Sequence, residues 1–228
     1  MIDHARDLAS VRDATDRLLT AAAALDNAAV AESSRLPGWS RGHVLAHIAR
    51  NADALVNVLE GRPMYASAVA RDADIEQGAP RSLDVQLADL RDSEARFQAT
   101  GAVPADWSRT VELRNGVTDT AARVPFRRWV EIELHHVDLG IGYELDDLSA
   151  EFSQREIDFL AARFAGQPEV ASTRLSDGTR AWSTGRRTAE PEVTVTGSQG
   201  ELLGWLAGRR DGSRLTVTGG ALPTLPPL

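Results

Sequence analysis

The chain has 228 residues, of which 43% are hydrophobic and 25% charged, a balance typical of a folded globular protein. Its formal net charge of -8 argues against nucleic-acid binding, which needs a concentrated basic surface. The absence of cysteine excludes disulfides, cysteine-ligated zinc and a cysteine nucleophile. The sequence has neither a signal-peptide pattern nor an apolar run of membrane-spanning length, so we expect a cytoplasmic protein without a membrane partner.

Three helices are predicted in the first hundred residues. Apolar residues recur at near-helical spacing from about residue 4 to 26, from 44 to 59 and from 83 to 97. Ser40 and Ser82 precede the second and third of these segments, where they can cap a helix. Gly61 and Gly101 follow the same two segments, as expected for helix ends.

A small hairpin and a fourth helix are predicted next. Asn115-Gly116 lies between two short runs with strand propensity, 110–113 and 117–120, and this dipeptide favours a tight hairpin turn. Pro125 occupies the expected first position of a helix from Phe126 to Leu139, since proline is well tolerated there.

The pattern changes near residue 150. A helix is predicted from Gln154 to Phe164, and the alternating runs 192–196 and 214–218 are typical of strands. A further helix, capped by Ser198, is predicted between them. We therefore predict an α+β protein, with a helical domain at residues 1–150 and a small α+β domain at residues 151–228.

The fourth helix carries a polar stripe between two apolar ones. Winding it at about 100° per residue places Glu131, His135 and Asp138 in line, with apolar residues on both sides. Glu133 and His136 fall on the opposite side, which we interpret as a broad solvated face. The stripe should point inward, and an inward carboxylate needs a cation because an unpartnered buried charge is costly. A metal ion would meet that need.

The second helix supplies a complementary ligand. His47 lies beside the apolar row of that helix, whereas His43 lies nearer to solvent, so His47 is the better inward candidate. Two alternatives remain open. His43 and His47 are four residues apart and could form a metal pair of their own. Alternatively, His47 hydrogen-bonds within the core, Glu131 pairs with an arginine, and no metal is bound.

Two histidines and one carboxylate suit zinc, and three protein ligands leave a position for water or substrate. Iron(II) can use the same set. Asp138 could orient a ligand imidazole from behind, or it could cap the helix end. Trp39 is expected to be a core residue, because a large apolar ring is usually buried.

The stretches 36–40, 131–140 and 197–209, together with His47, resemble the mycothiol-dependent maleylpyruvate isomerase family, and the resemblance spans nearly the whole chain. It implies a DinB-like four-helix bundle with a zinc site, and a small α+β domain closing over that site. In that family the zinc ligands map to His47, Glu131 and His135. These are the residues favoured by the helix patterns.

The resemblance also implies the chemistry. Zinc would bind the sulfur of a low-molecular-weight thiol such as mycothiol and lower its pKa. The thiol would add to the cis double bond of maleylpyruvate, allow rotation and leave, giving trans fumarylpyruvate. The other partner is then a small dicarboxylate, which arginines should hold through bidentate contacts. Arg209 is the preferred catalytic arginine, although it could simply be solvated after a helix, and Arg50, Arg127 and Arg128 are weaker candidates.

Other functions fit the same residues. Within the same class, the enzyme could transfer the thiol to another electrophile as a thiol S-transferase. In a different class, the bundle could be a non-catalytic metal or small-molecule binding protein.

Overall fold

The computed structural model describes residues 2–103 and 105–227. The chain forms two compact units, Met1–Tyr143 and Glu144–Leu228. The first is mainly helical and the second combines helices with a sheet. The predicted α+β class is confirmed, with a helical N-terminal part and an α+β C-terminal part.

The first unit is a bundle of long helices with two shorter ones. The long helices are α1 (His4–Ala22), α3 (Arg41–Leu59), α5 (Leu83–Gly101) and α6 (Val124–Asp138), and the shorter ones are α2 (Asn27–Ala31) and α4 (Ala68–Gly78). The four long helices correspond to the four predicted ones. Helix α3 begins with a capping box, in which the Ser40 side chain accepts from the His43 backbone and the His43 ring accepts from the Ser40 backbone.

Helix α4 was not predicted, because its segment looks like a polar linker. It is capped by the Ser67 side chain and buries Ile75 and Gly78. Such a narrow apolar face gives almost no helical periodicity in the sequence. The predicted hairpin is present between α5 and α6, as β1 (Thr110–Glu112) paired antiparallel with β2 (Thr118–Thr120). Asn115 has a positive φ of 60°, as a tight turn requires.

A buried cation fixes α6 against its neighbours. Arg128 is fully buried and donates to the Ile48 carbonyl at 2.8 Å and to the Asn51 side chain at 2.9 Å, both on α3. Its guanidinium also pairs with Glu94 of α5 at 3.4 Å. Breaking a buried, hydrogen-bonded ion pair of this kind is strongly destabilising. The relative position of α3 and α6 is therefore well defined, and the candidate site lies on these two helices.

The second unit packs two helices with a four-stranded sheet. The helices are α7 (Ala150–Phe164) and α8 (Gln199–Leu206), and the strands are β3 (Thr173–Ser176), β4 (Ala181–Thr184), β5 (Val193–Thr196) and β6 (Thr216–Thr218). The strand order is β4-β3-β5-β6, with β3 and β5 parallel and the outer pairs antiparallel. Ser198 caps α8 through the Glu201 backbone, as predicted.

Within the described part of the chain, no helix combines the length and apolar character needed to cross a bilayer.

Candidate metal centre

Three side chains from two helices converge inside the bundle. Nε2 of His47, on α3, lies 3.1 Å from Oε2 of Glu131, and Nε2 of His135 lies 3.3 Å from the same oxygen on α6. One donor atom from each residue falls within 4.8 Å of the others. Glu131 and His135 share a face because they are four residues apart on one helix. The structure thus brings together the three residues proposed from the sequence as ligands.

The donor set and its spacing fit a divalent metal. Bond lengths of about 2.0–2.1 Å in a tetrahedral zinc site separate neighbouring donor atoms by about 3.3–3.4 Å. The 3.1 and 3.3 Å contacts to Glu131 are close to that separation. Across residues 2–103 and 105–227, the cluster contains no fourth His, Asp, Glu or Cys donor. An ion held here would keep a coordination position for a molecule from outside the chain.

The surroundings of two of the three donors, His47 and Glu131, favour metal-binding protonation states. Burial lowers the pKa of His47 to about 4, although its hydrogen bond to Glu131 acts in the other direction. Burial acts to raise the pKa of Glu131, but hydrogen bonds with His135 and His47 outweigh it and hold this pKa well below its usual value. At neutral pH, His47 is therefore a neutral imidazole and Glu131 a carboxylate, which are the forms that ligate metals.

Asp138 orients the third donor. Its carboxylate is 1% exposed and lies 2.8 Å from Nδ1 of His135. Burial acts to lower the pKa of His135, but the bonds to Asp138 and Glu131 raise it. With Nδ1–H donating to Asp138, Nε2 is the nitrogen that faces Glu131, to which it donates in the absence of an ion and beside which it would offer its lone pair to a bound ion. This contact supports the role of Asp138 in orienting a ligand imidazole, rather than in capping the helix end.

Trp39 was expected to be a core residue, but it lies outside the core. Its ring is partly exposed and lies 5.5 Å from the His47 ring and 6.1 Å from the His43 ring, measured between centroids. His43 contacts Ser40 and, at 3.4 Å, Glu76 rather than the cluster. The alternative metal pair of His43 and His47 is therefore not assembled, and Trp39 forms a wall beside the site.

The expectation of a solvated face on α6 is wrong. Glu133 is 1% exposed and accepts from Arg17 of α1, Trp129 and Tyr143 at 2.6, 2.9 and 2.8 Å respectively. His136 is 3% exposed and stacks on the Tyr143 ring at 4.2 Å. These partners satisfy a carboxylate that would otherwise need water, so this side of α6 packs against protein.

The arginines considered as weaker candidates are neutralised within the protein. Arg128 is fully buried beside Glu94, Arg127 pairs with Asp119 at 2.7 Å, and Arg50 pairs with Asp89. In the second unit, Arg209 donates to the Ala207 carbonyl at 2.8 Å. The role of Arg209 stays a prediction.

Two residues beside the cluster were missed by sequence reasoning. Arg71, on α4, places a guanidinium nitrogen 3.4 Å from Nδ1 of His47. Its guanidinium carbon lies 5.9 Å from the centroid of the Tyr65 ring. Both belong to the segment taken for a polar linker, and no spacing pattern connects them to His47. Only the packing of α4 on α3 brings them there.

Fold and site together define a two-unit protein whose helical bundle carries a His–Glu–His cluster suited to a divalent metal. Residues 11–140 match the family model described as the mycothiol maleylpyruvate isomerase N-terminal domain. Residues 147–227 match the model of the C-terminal domain of the same family. The chain therefore belongs to the mycothiol maleylpyruvate isomerase family, a family of enzymes.

Solved structures agree with this assignment. The crystal structure of the mycothiol-dependent maleylpyruvate isomerase is 26% identical to this chain, with a TM-score of 0.86 over 99% of this chain and 97% of that one. A mutant of the mycothiol-dependent maleylpyruvate isomerase with a histidine replaced by alanine gives a TM-score of 0.85 over the same shares, again at 26% identity. Among curated protein sequences, none matches the chain significantly.

Proposed function

We propose that this protein is a zinc-dependent isomerase that uses mycothiol, or a similar low-molecular-weight thiol, to convert maleylpyruvate into fumarylpyruvate. The observation that carries the proposal is the His47–Glu131–His135 cluster, whose three donors are close enough to share one ion. Family membership supports the choice of thiol and substrate. The proposal also places the protein in the cytoplasm, where small thiols are kept reduced.

The reaction needs a nucleophile that this chain does not contain. A cis–trans change requires the double bond to become single for a time. A thiol meets this need when its sulfur bonds to one carbon and a proton to the other. Loss of both after rotation restores the double bond and the thiol. Since the chain has no cysteine, that sulfur must come from outside. Zinc, when bound, supplies a Lewis acid that lowers the pKa of a coordinated thiol.

The protein's own residues prepare the site. Burial holds His47 in its neutral form, hydrogen bonds with His135 and His47 hold Glu131 as a carboxylate, and Asp138 holds the proton on Nδ1 of His135. Arg128 keeps α6 at a fixed distance from α3. We retain Arg209 as a residue proposed to bind a substrate carboxylate.

The proposal is tested by replacing one histidine of α3 at a time. His47→Gln should reduce bound zinc to well below one ion per chain and lower thiol-dependent turnover of maleylpyruvate at least about 100-fold, because a ligand is lost. Zinc is measured by elemental analysis and turnover by the absorbance change of the substrate.

His43→Gln is the matched control. It lies one turn away on the same helix, and glutamine can keep the capping contact of His43, so zinc and activity should stay near wild-type levels. A zinc-loaded wild-type protein that leaves maleylpyruvate unchanged with every thiol would refute the isomerase assignment. Recovery of a stable thiol adduct would assign thiol transfer instead.

A further inference from the structure

Arg71 is a cation beside the cluster whose charge is poorly neutralised by the protein. Its side chain is 12% exposed, and its ion-pair partner is the neighbouring Asp72, at 2.8 Å, whose side chain is 62% exposed. Because the Asp72 carboxylate lies largely in solvent, the pair is screened on that side and offsets the Arg71 charge only in part. By contrast, the carboxylates that pair with Arg128, Arg127 and Arg50 are 9, 12 and 17% exposed. Arg71 thus differs from the three arginines that the sequence offered as weaker candidates.

Arg71 also faces a ring nitrogen whose hydrogen-bonding role depends on metal binding. A guanidinium can only donate. If Nε2 of His47 gives its lone pair to an ion, the ring proton must lie on Nδ1, so that Nδ1 also becomes a donor. Nδ1 and the Arg71 nitrogen, 3.4 Å apart, would then be two donors facing each other. An anion beside them can accept from both.

Tyr65 completes the surroundings of this position. Its ring lies 5.9 Å from the guanidinium carbon of Arg71, and burial raises the pKa of its hydroxyl, which therefore keeps its proton and can donate. Tyr65 also lines a cavity of about 530 Å³ between the loop before α4 and the β1–β2 hairpin.

We propose that Arg71 and Tyr65 form a carboxylate-binding subsite beside the metal cluster, with Arg71 as the residue that positions one carboxylate of the substrate. The identity of the substrate rests on the proposed function. The subsite itself can be tested with any small dicarboxylate. It adds an arginine from the bundle to Arg209, the residue favoured by the sequence.

The test measures binding without catalysis. Maleate, a cis-dicarboxylate, is titrated calorimetrically into the zinc-loaded full chain with no thiol present. Arg71→Gln should weaken maleate binding at least about tenfold, because a charge-assisted contact is lost. Arg71→Lys should lose less, since it keeps the charge but not the planar fork. Asp72→Asn should tighten binding a few-fold, because the competing carboxylate is removed.

Arg127→Gln is the charge-matched control and should bind maleate like the wild type, since Asp119 keeps a second partner in Arg123. Zinc content should be unchanged in all four variants. Maleate affinity that is unaffected by Arg71→Gln would overturn the subsite. Zinc loss in Arg71→Gln would also overturn it, because Arg71 would then be a support for His47.

Kinetics separate this proposal from the proposed function. In an active enzyme, Arg71→Gln should raise KM for maleylpyruvate more than it lowers kcat. If zinc-loaded wild type binds maleate through Arg71 but isomerises nothing, the subsite stands and the isomerase assignment fails. If the enzyme is active and Arg71→Gln changes neither KM nor maleate affinity, the subsite fails and the isomerase assignment stands.

Discussion

At the scale of single residues, the helical period placed Glu131 and His135 on one face of α6 but did not show that Glu133 and His136 are buried on the other. His47, Glu131 and His135 could be selected because each lies beside an apolar row on its own helix. Glu133 was misplaced because its burial depends on Arg17, which is 116 residues away on α1. When the cation that pairs with a buried carboxylate comes from another helix, the local sequence around the carboxylate looks the same as that around a solvent-exposed carboxylate.

Asp138 gives a prediction at this scale. Asp138→Ala removes the acceptor of the His135 Nδ1 proton, so the ring loses its fixed orientation and part of its basicity. We expect zinc affinity to fall about 10–100-fold, as is typical when such a supporting carboxylate is lost. Competition with a chromogenic chelator measures the affinity.

A second buried carboxylate on α6 provides the control for Asp138→Ala. Glu133→Gln changes a side chain on the opposite side of the helix and keeps its size and one acceptor oxygen, so zinc affinity should be retained. Equal losses in the two variants would mean that Asp138 stabilises the helix in general and does not act through His135.

At the scale of elements, the long helices could be predicted and α4 could not. The long helices have broad apolar faces and recognisable ends, whereas α4 is held by close approach to α3. A Cβ on Gly42 of α3 would lie 2.2 Å from the Ala79 carbonyl oxygen, just beyond the end of α4. A Cβ on Gly78 would lie 2.8 Å from Cβ of Ala46. Without a known partner for α3, nothing in the sequence marks these glycines as contact points.

Gly42→Ala should therefore displace α4. We expect a loss of about 1–3 kcal/mol in the free energy of unfolding, the usual cost of overpacking, measured by urea denaturation. Because α4 carries Arg71, maleate affinity should fall as well.

Gly101→Ala is the control for the displacement of α4. Its Cβ would lie 2.6 Å from the end of the Leu8 side chain on α1, so it overpacks the same unit at a place away from α4. It should lower stability while leaving maleate affinity unchanged. If Gly42→Ala destabilises the protein but binds maleate normally, the position of α4 does not set the position of Arg71.

At the scale of the whole molecule, the change of pattern near residue 150 correctly indicated an α+β protein with its helical part first. What the sequence could not supply was the surroundings of the cluster, since Arg71, Tyr65 and Trp39 come from segments whose sequences have no clear apolar periodicity. Their position follows from how α4 and the loops pack on α3, which is a property of the folded unit.

Metal removal gives a prediction at this scale. The ligands lie on helices already joined by Arg128, so chelation should leave the far-ultraviolet circular dichroism essentially unchanged. The Tm should fall by several degrees, since an ion present at 1,000 times its Kd adds about 4 kcal/mol to stability. Adding zinc back should restore the Tm. Collapse of the helical spectrum on chelation would show instead that the metal is needed for folding.

The link that Arg128 makes between α3 and α6 has a consequence for metal selection. Because the three donors are held in place by packing, the site cannot discriminate among ions by folding around one of them. The same two nitrogens and one carboxylate would be offered to zinc, iron(II), cobalt(II) and nickel(II). Their affinities for the site would then follow the order that these metals show for most such donor sets. Under the proposed function, the ion bound would then depend on the metals that the cell makes available.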